Sequence, residues 1–378
     1  MKKIVLSFCP LIFACYFLSN SNAPVPCNND ITERQYDGPY VLYKKKEIYV
    51  KYIFEDSGLK TVRTNNYMLS AKAVVTLNVL TDEPHKTFSV QLKDKLVIEK
   101  SDYEKPAKLV AISDIEGNFS AFRNLLQQCG VIDTSYNWIF GNGHLVLLGD
   151  FFDRGDKVTE VLWLIYSLEE KAKAAGGYVH FILGNHEIMN LSGDLRYLSS
   201  KYAKNAKLLR ENYSFDLFGK NSELGRWLNT KNIIEKIGDL LFVHAGISVE
   251  MNSMYVPSFN RINELARPYY YYLDRHYPYN DPRIALIFGE TGPLWYRGYY
   301  LGSPRATTDQ IDNTLELFNV KHIITGHSVI ADTISVLHDG KLINLDVHHA
   351  GGHSEALFIE GEKQFRITKN GEKFPLTE

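Results

Sequence analysis

The chain has 378 residues, of which 45% are hydrophobic, and its formal net charge at pH 7 is −2. This length and apolar content are typical of a soluble globular protein with one elaborated domain or two modest ones, and they argue against disorder. The near-neutral charge offers no electrostatic footprint for nucleic acid, and no basic stretch interleaved with aromatic residues supplies one. We therefore expect no nucleic-acid partner.

The amino terminus resembles a targeting segment. Two lysines precede an apolar stretch from Ile4 to Leu18, and a polar segment then ends at Ala23. This layout predicts a signal peptide over residues 1–23, which is short for a membrane span. The residues before Cys15 also resemble a bacterial lipobox, so membrane attachment through a lipidated Cys15 is the alternative. Both interpretations place the mature protein outside the cytoplasm, in the periplasm, the cell envelope or the medium.

Two cysteines, Cys27 and Cys129, follow the predicted signal peptide. One pair is too few for a disulfide framework, and its spacing is not that of metal ligands. We expect Cys129 to be a free, buried thiol.

Residues 24–105 are predicted to form a small β-rich region. The segments 40–54, 71–80 and 86–99 are rich in β-branched and aromatic residues, and turn residues lie between them. No catalytic constellation is present in this region.

Residues 106–378 are predicted to form an α/β domain, because short apolar runs alternate with helical periodicity from Leu109 onward. Apolar residues between Val158 and Leu168 fall at helical spacing, and Gly176 provides a stop. Thr307 opens a second helix with a capping-box pattern. Residues 251–300 are rich in Tyr and Pro, which predicts a long structured insertion.

Potential metal ligands follow five of the apolar runs. Ligand sites in open α/β sheets lie beyond the carboxyl ends of the strands, so we expect these residues to meet. The first run ends in two carboxylates, which strand alternation would place on one face, where a cation would relieve their repulsion. The ligands are Asp114 with Glu116, Asp150, Asn185, His244 and His327.

Short motifs around these residues occur in an order that resembles the calcineurin-like metallophosphoesterases. The resemblance spans about residues 109–360 and implies a four-layer α/β/β/α sandwich. Ser-Val after Gly326-His327 favours the phosphoprotein-phosphatase branch, and three further motifs resemble the Shewanella-like bacterial phosphatases. The family motifs are "GDFFDRG" (149–155), "GNHE" (184–187), "HAG" (244–246) and "GHS" (326–328), and the further ones are "GDLRYL" (193–198), "GRWL" (225–228) and "GPLWYRGY" (292–299).

The resemblance implies a site for two divalent metal ions. Asp150 would bridge the ions and Asp114 would complete the first site, since carboxylates suit hard cations. Asn185, His244 and His327 would complete the second site, which accepts Mn, Fe or Zn. A bridging water would lose a proton and attack phosphorus in line.

The remaining catalytic roles also follow from the resemblance. His186 would be the general acid for the leaving oxygen, oriented by Asp153. Arg154 and Arg297 would bind the substrate phosphate, because a planar guanidinium can make paired hydrogen bonds to it.

Glu116 departs from the family pattern, in which Asp-x-His stands where this chain has Asp114-Ile115-Glu116. A carboxylate can ligate where an imidazole would, so we expect Glu116 to bind the first metal. The all-oxygen first site would favour Mn or Mg over Zn and Fe, with Mn as the first choice. In the alternative, Glu116 binds nothing and the protein is a degenerate one-metal enzyme.

The other histidines are expected to play lesser roles. His144, His180 and His322 lie in or beside strands and are predicted to be satisfied core or edge residues. A contact of the remaining three with substrate or metal is left open, and these are His348, His349 and His353.

The function expected from this resemblance is hydrolysis of phosphate monoesters. Phosphoproteins are one substrate class, and nucleotides or sugar phosphates are others. A phosphodiesterase or dinucleoside-polyphosphate hydrolase is the alternative on the same site. A catalytically inactive surface-binding protein, which recognises glycan or protein through the tyrosines at 269–272, is the alternative of another class.

Overall fold

The computed structural model describes residues 34–254, 258–272 and 280–377, so the predicted signal peptide, Cys15 and Cys27 lie outside the described residues. Within these ranges, no helix is both long and apolar enough to cross a membrane. The proposed boundaries of the signal peptide and of the two regions that follow it remain predictions.

An antiparallel β-rich region begins the described chain, as predicted. One sheet has the order β1-β2-β3, and β4 pairs with β5 in a separate hairpin. The prediction missed β3, which is polar on both faces and is held by pairing with β2 along its whole length. Residues 92–99 were wrongly assigned to a strand, and Val97 and Ile98 are exposed there. The strands are β1 (Arg34–Lys44), β2 (Glu47–Asp56), β3 (Leu59–Met68), β4 (Thr76–Leu80) and β5 (Thr87–Gln91).

The remaining strands belong to two six-stranded sheets. Sheet I has the order β17-β16-β15-β7-β8-β9, and sheet II has the order β13-β14-β12-β11-β10-β6. The strands are β6 (Asp102–Tyr103), β7 (Lys108–Ile112), β8 (His144–Leu147), β9 (Tyr178–Phe181), β10 (Ile234–Ile237), β11 (Leu240–Val243), β12 (His322–Thr325), β13 (Ser335–Leu337), β14 (Leu342–Asn344), β15 (Glu355–Glu360), β16 (Lys363–Thr368) and β17 (Lys373–Pro375).

The five apolar runs that precede the proposed ligands all form strands, which confirms the α/β prediction. They are divided between the sheets: β7, β8 and β9 are parallel neighbours in sheet I, and β11 and β12 are parallel neighbours in sheet II. Apolar side chains of both sheets share one buried cluster, in which Ala111 and Val146 meet Phe242 and Ile324. The two sheets therefore pack face to face, as the family resemblance implied.

The helices cover the outer faces of the sheets. Helix α2 packs on β9 and on the β-rich region, so nearly all of its length is buried and Trp163 Nε1 donates to Pro39 O (2.9 Å). The predicted stop at Gly176 and the predicted capping box at Thr307 are both present. The α-helices are α1 (Phe119–Gln128), α2 (Val158–Ala174), α3 (Asn185–Ser192), α4 (Ser200–Leu209), α5 (Glu223–Leu228), α6 (Val249–Met254), α7 (Phe259–Ala266), α8 (Pro282–Phe288) and α9 (Thr308–Phe318).

Cys129 ends α1 as a free, buried thiol, as expected. Burial raises its pKa to about 12, so the thiol stays protonated at neutral pH. This environment suits a structural cysteine rather than a reactive one.

The tyrosines at 269–272 do not form an exposed binding surface. Tyr270 and Tyr271 are buried, and their hydroxyls donate to Lys231 O (3.1 Å) and Gly225 O (2.7 Å). Tyr272 alone among the four is largely exposed. These rings therefore belong mainly to the core, and the idea that they recognise glycan is wrong for Tyr270 and Tyr271.

Candidate active site

The carboxyl ends of the central strands meet at one edge of the sandwich. In sheet I, backbone pairing continues past the strand ends, where Asp114 N donates to Gly149 O (3.0 Å). In sheet II, Gly326 N donates to His244 O (2.8 Å). The edge encloses a cavity of about 850 Å³ lined by eight of the ten predicted site residues, while His244 and Asp153 lie buried behind them.

Many of the predicted residues have a left-handed backbone. Such a conformation is uncommon outside glycine and concentrates where a surrounding structure holds functional groups in place. β7 ends at Ile112, so Asp114 and Glu116 lie in a turn, and strand alternation does not set their directions as we expected. The φ angles are 52° for Asp114, 48° for Glu116, 58° for Asp150, 68° for Asp153, 53° for Arg154 and 67° for His327.

Four predicted ligands of the second metal come together. His244 Nδ1 lies 2.7 Å from Leu148 O, an acceptor, so Nδ1 carries the proton and Nε2 faces the site. That Nε2 lies 3.2 Å from Asp150 Oδ2 and 3.0 Å from Asn185 Oδ1. Ligand atoms of Asp150, His244 and His327 all lie within 4.8 Å of one another.

This group has the properties of a metal site. The Nε2 atom of His327 is buried and has no hydrogen-bond partner, although a buried nitrogen normally has one. Imidazole, carboxylate and amide oxygen together match the ligands that Mn, Fe and Zn accept. The residues present therefore fit a divalent ion.

The glycines of the short motifs allow the close approach of these groups. A Cβ on Gly326 would lie 2.0 Å from Ser113 Oγ and 2.3 Å from Asp114 Oδ2. A Cβ on Gly184 would lie 2.3 Å from Asp150 Oδ1. Any larger residue at either position would displace a carboxylate of the site.

Burial and mutual charge determine protonation in the site. Burial raises the pKa of Asp114 to about 7, although His244 opposes the shift. Burial also disfavours the ionised form of Asp150, but His186 and His244 outweigh it and hold that pKa well below its usual range. For His244 burial is likewise outweighed, here by Asp150, which raises the pKa to about 10. Asp150 and His244 therefore favour each other's charged forms, and a divalent ion bound at His244 Nε2 would replace the second imidazole proton.

The two carboxylates of the first motif have different partners. The Asp114 carboxylate accepts hydrogen bonds from Ser113 Oγ and from His327 N (3.2 Å). The Glu116 carboxylate instead forms an ion pair with the Arg154 guanidinium. A metal-binding role for Glu116 stays a prediction.

His186 and Asp153 are in direct contact. His186 Nδ1 lies 2.6 Å from Asp153 Oδ2, and His186 Nε2 lies 3.7 Å from Asp150 Oδ2. Burial disfavours the imidazolium, but Asp150 and Asp153 outweigh it and raise the pKa of His186. The ring therefore faces the proposed metal ligands while a carboxylate fixes its orientation.

The two predicted phosphate-binding arginines line the cavity from distant parts of the chain. Arg154 follows β8, and its guanidinium lies 5.1 Å from the Tyr197 ring, which also packs 5.2 Å from the ring of His186. Arg297 Nη1 donates to His327 O (3.1 Å) and Ser328 Oγ (3.0 Å). Both guanidinium groups are thus held beside the proposed ligands.

Sequence reasoning missed two acidic residues of the site. Glu187 is fully buried and accepts from the N–H groups of Gly184 (2.8 Å), Asp150 (2.8 Å) and Phe151 (2.7 Å), so it joins the two ligand turns. Asp346 lines the cavity and follows an apolar run, which is the signal that identified the other ligands. Burial, with Asp114 and Asp150, raises the pKa of Asp346 well above its usual range.

The other histidines differ in environment. His180 Nδ1 contacts Glu235 Oε2 of sheet II (2.7 Å), His322 Nδ1 contacts Gly340 O (2.7 Å), and His144 contacts His180 (3.0 Å). His349 lines the cavity, but its two ring nitrogens contact Ser113 O and Ser354 Oγ (3.1 Å each). Two of the histidines whose role was left open, His348 and His353, contact Asp332 on the surface, and His348 also lines the cavity.

Comparisons with known proteins identify the family of this chain. The family model of the calcineurin-like phosphoesterases matches residues 107–331. The crystal structure of the cold-active protein-tyrosine phosphatase of a psychrophilic Shewanella species superposes with a TM-score of 0.80, at 34% identity, over 90% of this chain and 99% of that chain.

Curated relatives extend the comparison. Shewanella-like protein phosphatase 2 of Arabidopsis thaliana is 26% identical over 305 residues, which is 69% of this chain and 76% of the relative. The symmetrical bis(5'-nucleosyl)-tetraphosphatase of Aromatoleum aromaticum is 30% identical over 139 residues, which is 37% of this chain and 44% of that protein. Because the family match covers most of the described chain and includes the strand ends that carry the ligand group, this protein belongs to the calcineurin-like phosphoesterases and is a metal-dependent phosphatase.

Proposed function

We propose that the enzyme hydrolyses phosphate monoesters on proteins, including phosphotyrosine. The observation that carries this proposal is the placement of two arginines and one histidine beside the ligand group: Arg154, Arg297 and His186 line the same cavity as Asp150. The two guanidinium groups provide positive charge that suits the dianionic phosphate of a monoester. The similar Shewanella enzyme bears the name protein-tyrosine phosphatase, which supports an aryl phosphate on protein as substrate.

His186 is proposed to protonate the leaving oxygen. Asp153 accepts from the Nδ1–H of His186, so the imidazolium carries its second proton on Nε2, which faces the cavity. The raised pKa of His186 favours the imidazolium, which holds this proton before the ester bond breaks. General acids positioned in this way contribute about 10²- to 10⁴-fold to rate.

Arg154 and Arg297 are proposed to bind the phosphate oxygens. Arg297 is held by His327 O and Ser328 Oγ, which leaves its second terminal nitrogen for substrate. Arg154 is paired with Glu116, so phosphate would share or replace that carboxylate. Bidentate arginine contacts also orient the ester for in-line attack.

Two divalent ions are proposed as cofactors, with Mn favoured over Mg, Zn and Fe. Asp150, Asn185, His244 and His327 would hold one ion, and Asp114 with Asp150 and Glu116 would hold the other. When bound, such ions supply positive charge for the phosphoryl oxygens and activate a water molecule. The preference for Mn follows from the carboxylate ligands of the first site.

We also propose that the mature protein acts outside the cytoplasm. The support is the predicted signal peptide over residues 1–23, with lipidation at Cys15 as the alternative. Mass spectrometry of the amino terminus of protein from a cell-envelope fraction distinguishes the two, since cleavage near Ala23 and lipidation at Cys15 leave different termini.

The activity proposal is tested by comparing esters on the metal-loaded enzyme. The expected result is faster hydrolysis of an aryl phosphate and of phosphotyrosine peptides than of a bis-aryl phosphate or a dinucleoside tetraphosphate, measured with added Mn, Mg, Zn or Fe. Asp150→Asn serves as the inactive control prepared in the same way. Preference for the diester or the dinucleotide would overturn the monoesterase proposal in favour of the alternative activity.

A further inference from the structure

Asp346 is a buried acidic residue of the active-site cavity. It lies just beyond β14, it is 6% exposed, and it lines the same cavity as Asp114 and Asp150. Its backbone N–H donates to Asn344 Oδ1 (3.1 Å). Its carboxylate opens onto the cavity, and none of the hydrogen bonds or ion pairs among the described residues involves it. Burial of an unpartnered carboxylate is unfavourable, which suggests a partner that is not part of the polypeptide.

The strand register places Asp346 beside a proposed ligand. β14 is parallel to β12, with Asn344 opposite Thr325, and Leu345 N continues the pairing by donating to Thr325 O (2.8 Å). His327 and Asp346 each lie two residues beyond that opposed pair. The two side chains therefore leave sheet II at the same level of the same edge.

The charges near Asp346 favour a cation. Asp114 and Asp150 line the same cavity as Asp346, and the Asp114 carboxylate accepts from His327 N (3.2 Å), which places Asp114 at the strand end that His327 shares with Asp346. Glu116, which stands where the family has a histidine, is directed to Arg154. Asp114, Asp150 and Asp346 thus provide three buried carboxylates in the lining of one cavity.

We propose that Asp346 is a ligand of the first metal ion, beside Asp114 and Asp150. This inference rests on the proposed two-metal function and deepens it, because three carboxylates form a hard, oxygen-only site that selects Mn or Mg. Asp346 would take over the position that the missing family histidine leaves, whether or not Glu116 turns from Arg154 toward the ion.

Metal binding tests the assignment without reference to activity. Chelator-treated full-length protein is titrated with Mn²⁺ by calorimetry, and bound metal is counted after dialysis. The wild-type protein is expected to bind two ions, and Asp346→Asn one ion at the concentration that saturates wild type. Asp332→Asn is the matched control, because Asp332 is an exposed carboxylate outside the cavity lining, and it should bind two ions.

A spectroscopic experiment distinguishes a direct metal ligand from a residue that only positions another ligand. In Asp346→Cys the thiolate would bind the ion directly, and cobalt(II) bound to thiolate has a near-ultraviolet charge-transfer band that oxygen and nitrogen ligands do not produce. The variant is loaded with Co²⁺ until two ions are counted, and wild type and Asp332→Cys provide the baseline. We expect the band in Asp346→Cys alone.

Unchanged affinity for two ions in Asp346→Asn would overturn the proposal. Loss of an ion from Asp346→Asn without the band in Asp346→Cys would also overturn it, because Asp346 would then act through another ligand. Neither result would affect the proposed monoesterase activity, which is measured separately on wild type. Conversely, a wild-type protein that binds two ions but hydrolyses no monoester would refute the proposed function and leave the ligand assignment in place.

Discussion

Two clusters of buried charged side chains in this protein are similarly buried but differ in the sign of their excess charge. One has more lysines than carboxylates, and the other has more carboxylates than cationic side chains. In the Glu169 cluster, Glu169 binds Lys93 and Lys231 (2.6 Å to Lys231) and accepts from Trp227 Nε1 (3.0 Å). In the active site, Asp114, Asp150 and Asp346 share the compensation provided by nearby histidines.

Burial alone does not explain the difference in ionisation. Burial raises the pKa of both Glu169 and Asp114, but Lys231 and Lys93 outweigh it and lower the pKa of Glu169 to about 2, whereas that of Asp114 rises to about 7. Both lysines pair with Glu169, while burial lowers the pKa of Lys231 and the charge of Lys93 adds to the shift. The Glu169 cluster is complete as a structural unit, whereas the active-site carboxylates require a cation for balance.

The largest expected effect comes from Asp150→Asn, which removes the central carboxylate of the active site. We expect activity to be abolished and bound metal to fall at both positions, because no other residue is proposed to bridge. Metal analysis of purified protein and an aryl phosphate assay measure this. Full metal content together with full rate would refute the two-metal hypothesis.

His186→Asn distinguishes proton donation to the leaving group from metal binding within the active site. Metal content should stay near the wild-type value, while kcat falls by roughly a hundredfold or more on alkyl phosphates and much less on aryl phosphates, whose leaving group needs no proton. Steady-state kinetics on both ester classes provide the measurement. Equal losses on the two classes would argue against the general-acid role.

Glu169→Gln breaks the Glu169 cluster and should act on stability alone. Two buried lysines would lose their carboxylate, which we expect to lower the free energy of unfolding by about 3 kcal/mol. The exposed neighbour Glu170→Gln is the control and should change stability little. Denaturant unfolding measures both variants, and the rate per folded molecule should be unchanged in each.

The Glu169→Gln substitution should also change how the free energy of unfolding depends on pH. The folded pKa of Glu169, about 2, lies below its ordinary value of 4.5, so its contribution is fully present above pH 4.5 and is lost as pH falls toward 2. Glu169→Gln should therefore show a flatter decline of stability over that window. A decline as steep as that of wild type would indicate that other carboxylates govern acid unfolding.

The smallest expected effect concerns Glu116. If it binds the first metal, Glu116→Ala should raise the metal requirement by about tenfold or more and leave the second ion bound, and Glu116→His should move the preference from Mn or Mg toward Zn or Fe. If Glu116 only orients Arg154, preference and stoichiometry should stay constant while KM for substrate changes. Metal identity, measured for both variants, distinguishes the two roles.

Local pattern in the sequence was sufficient for much of the site. Apolar runs of four to eight residues identify buried strands, and the polar residue after each run identifies what stands at the strand end. Asp150, Asn185, His244 and His327 were found in this way and lie together. Motif order supplied the pairing of His186 with Asp153, which the structure brings within 2.6 Å.

Other features depended on contacts between distant parts of the chain. The division of the strands into two sheets, the burial of Tyr270 and the ion pair of Glu116 with Arg154 all follow from tertiary packing. Strand alternation gave the wrong rule for Glu116 because β7 had already ended at Ile112 and a left-handed turn follows.

Asp346 shows which feature of the site could not be predicted from the sequence alone. Its position after an apolar run was visible in the sequence, as it was for Asp150. Its place beside His327 depends on the register of β14 against β12, two strands separated by the β13 hairpin. Residue type and strand ends are short-range properties that a sequence determines by itself, whereas register between strands is set by packing of the whole sheet, and only the tertiary structure decides which strand ends share a cation.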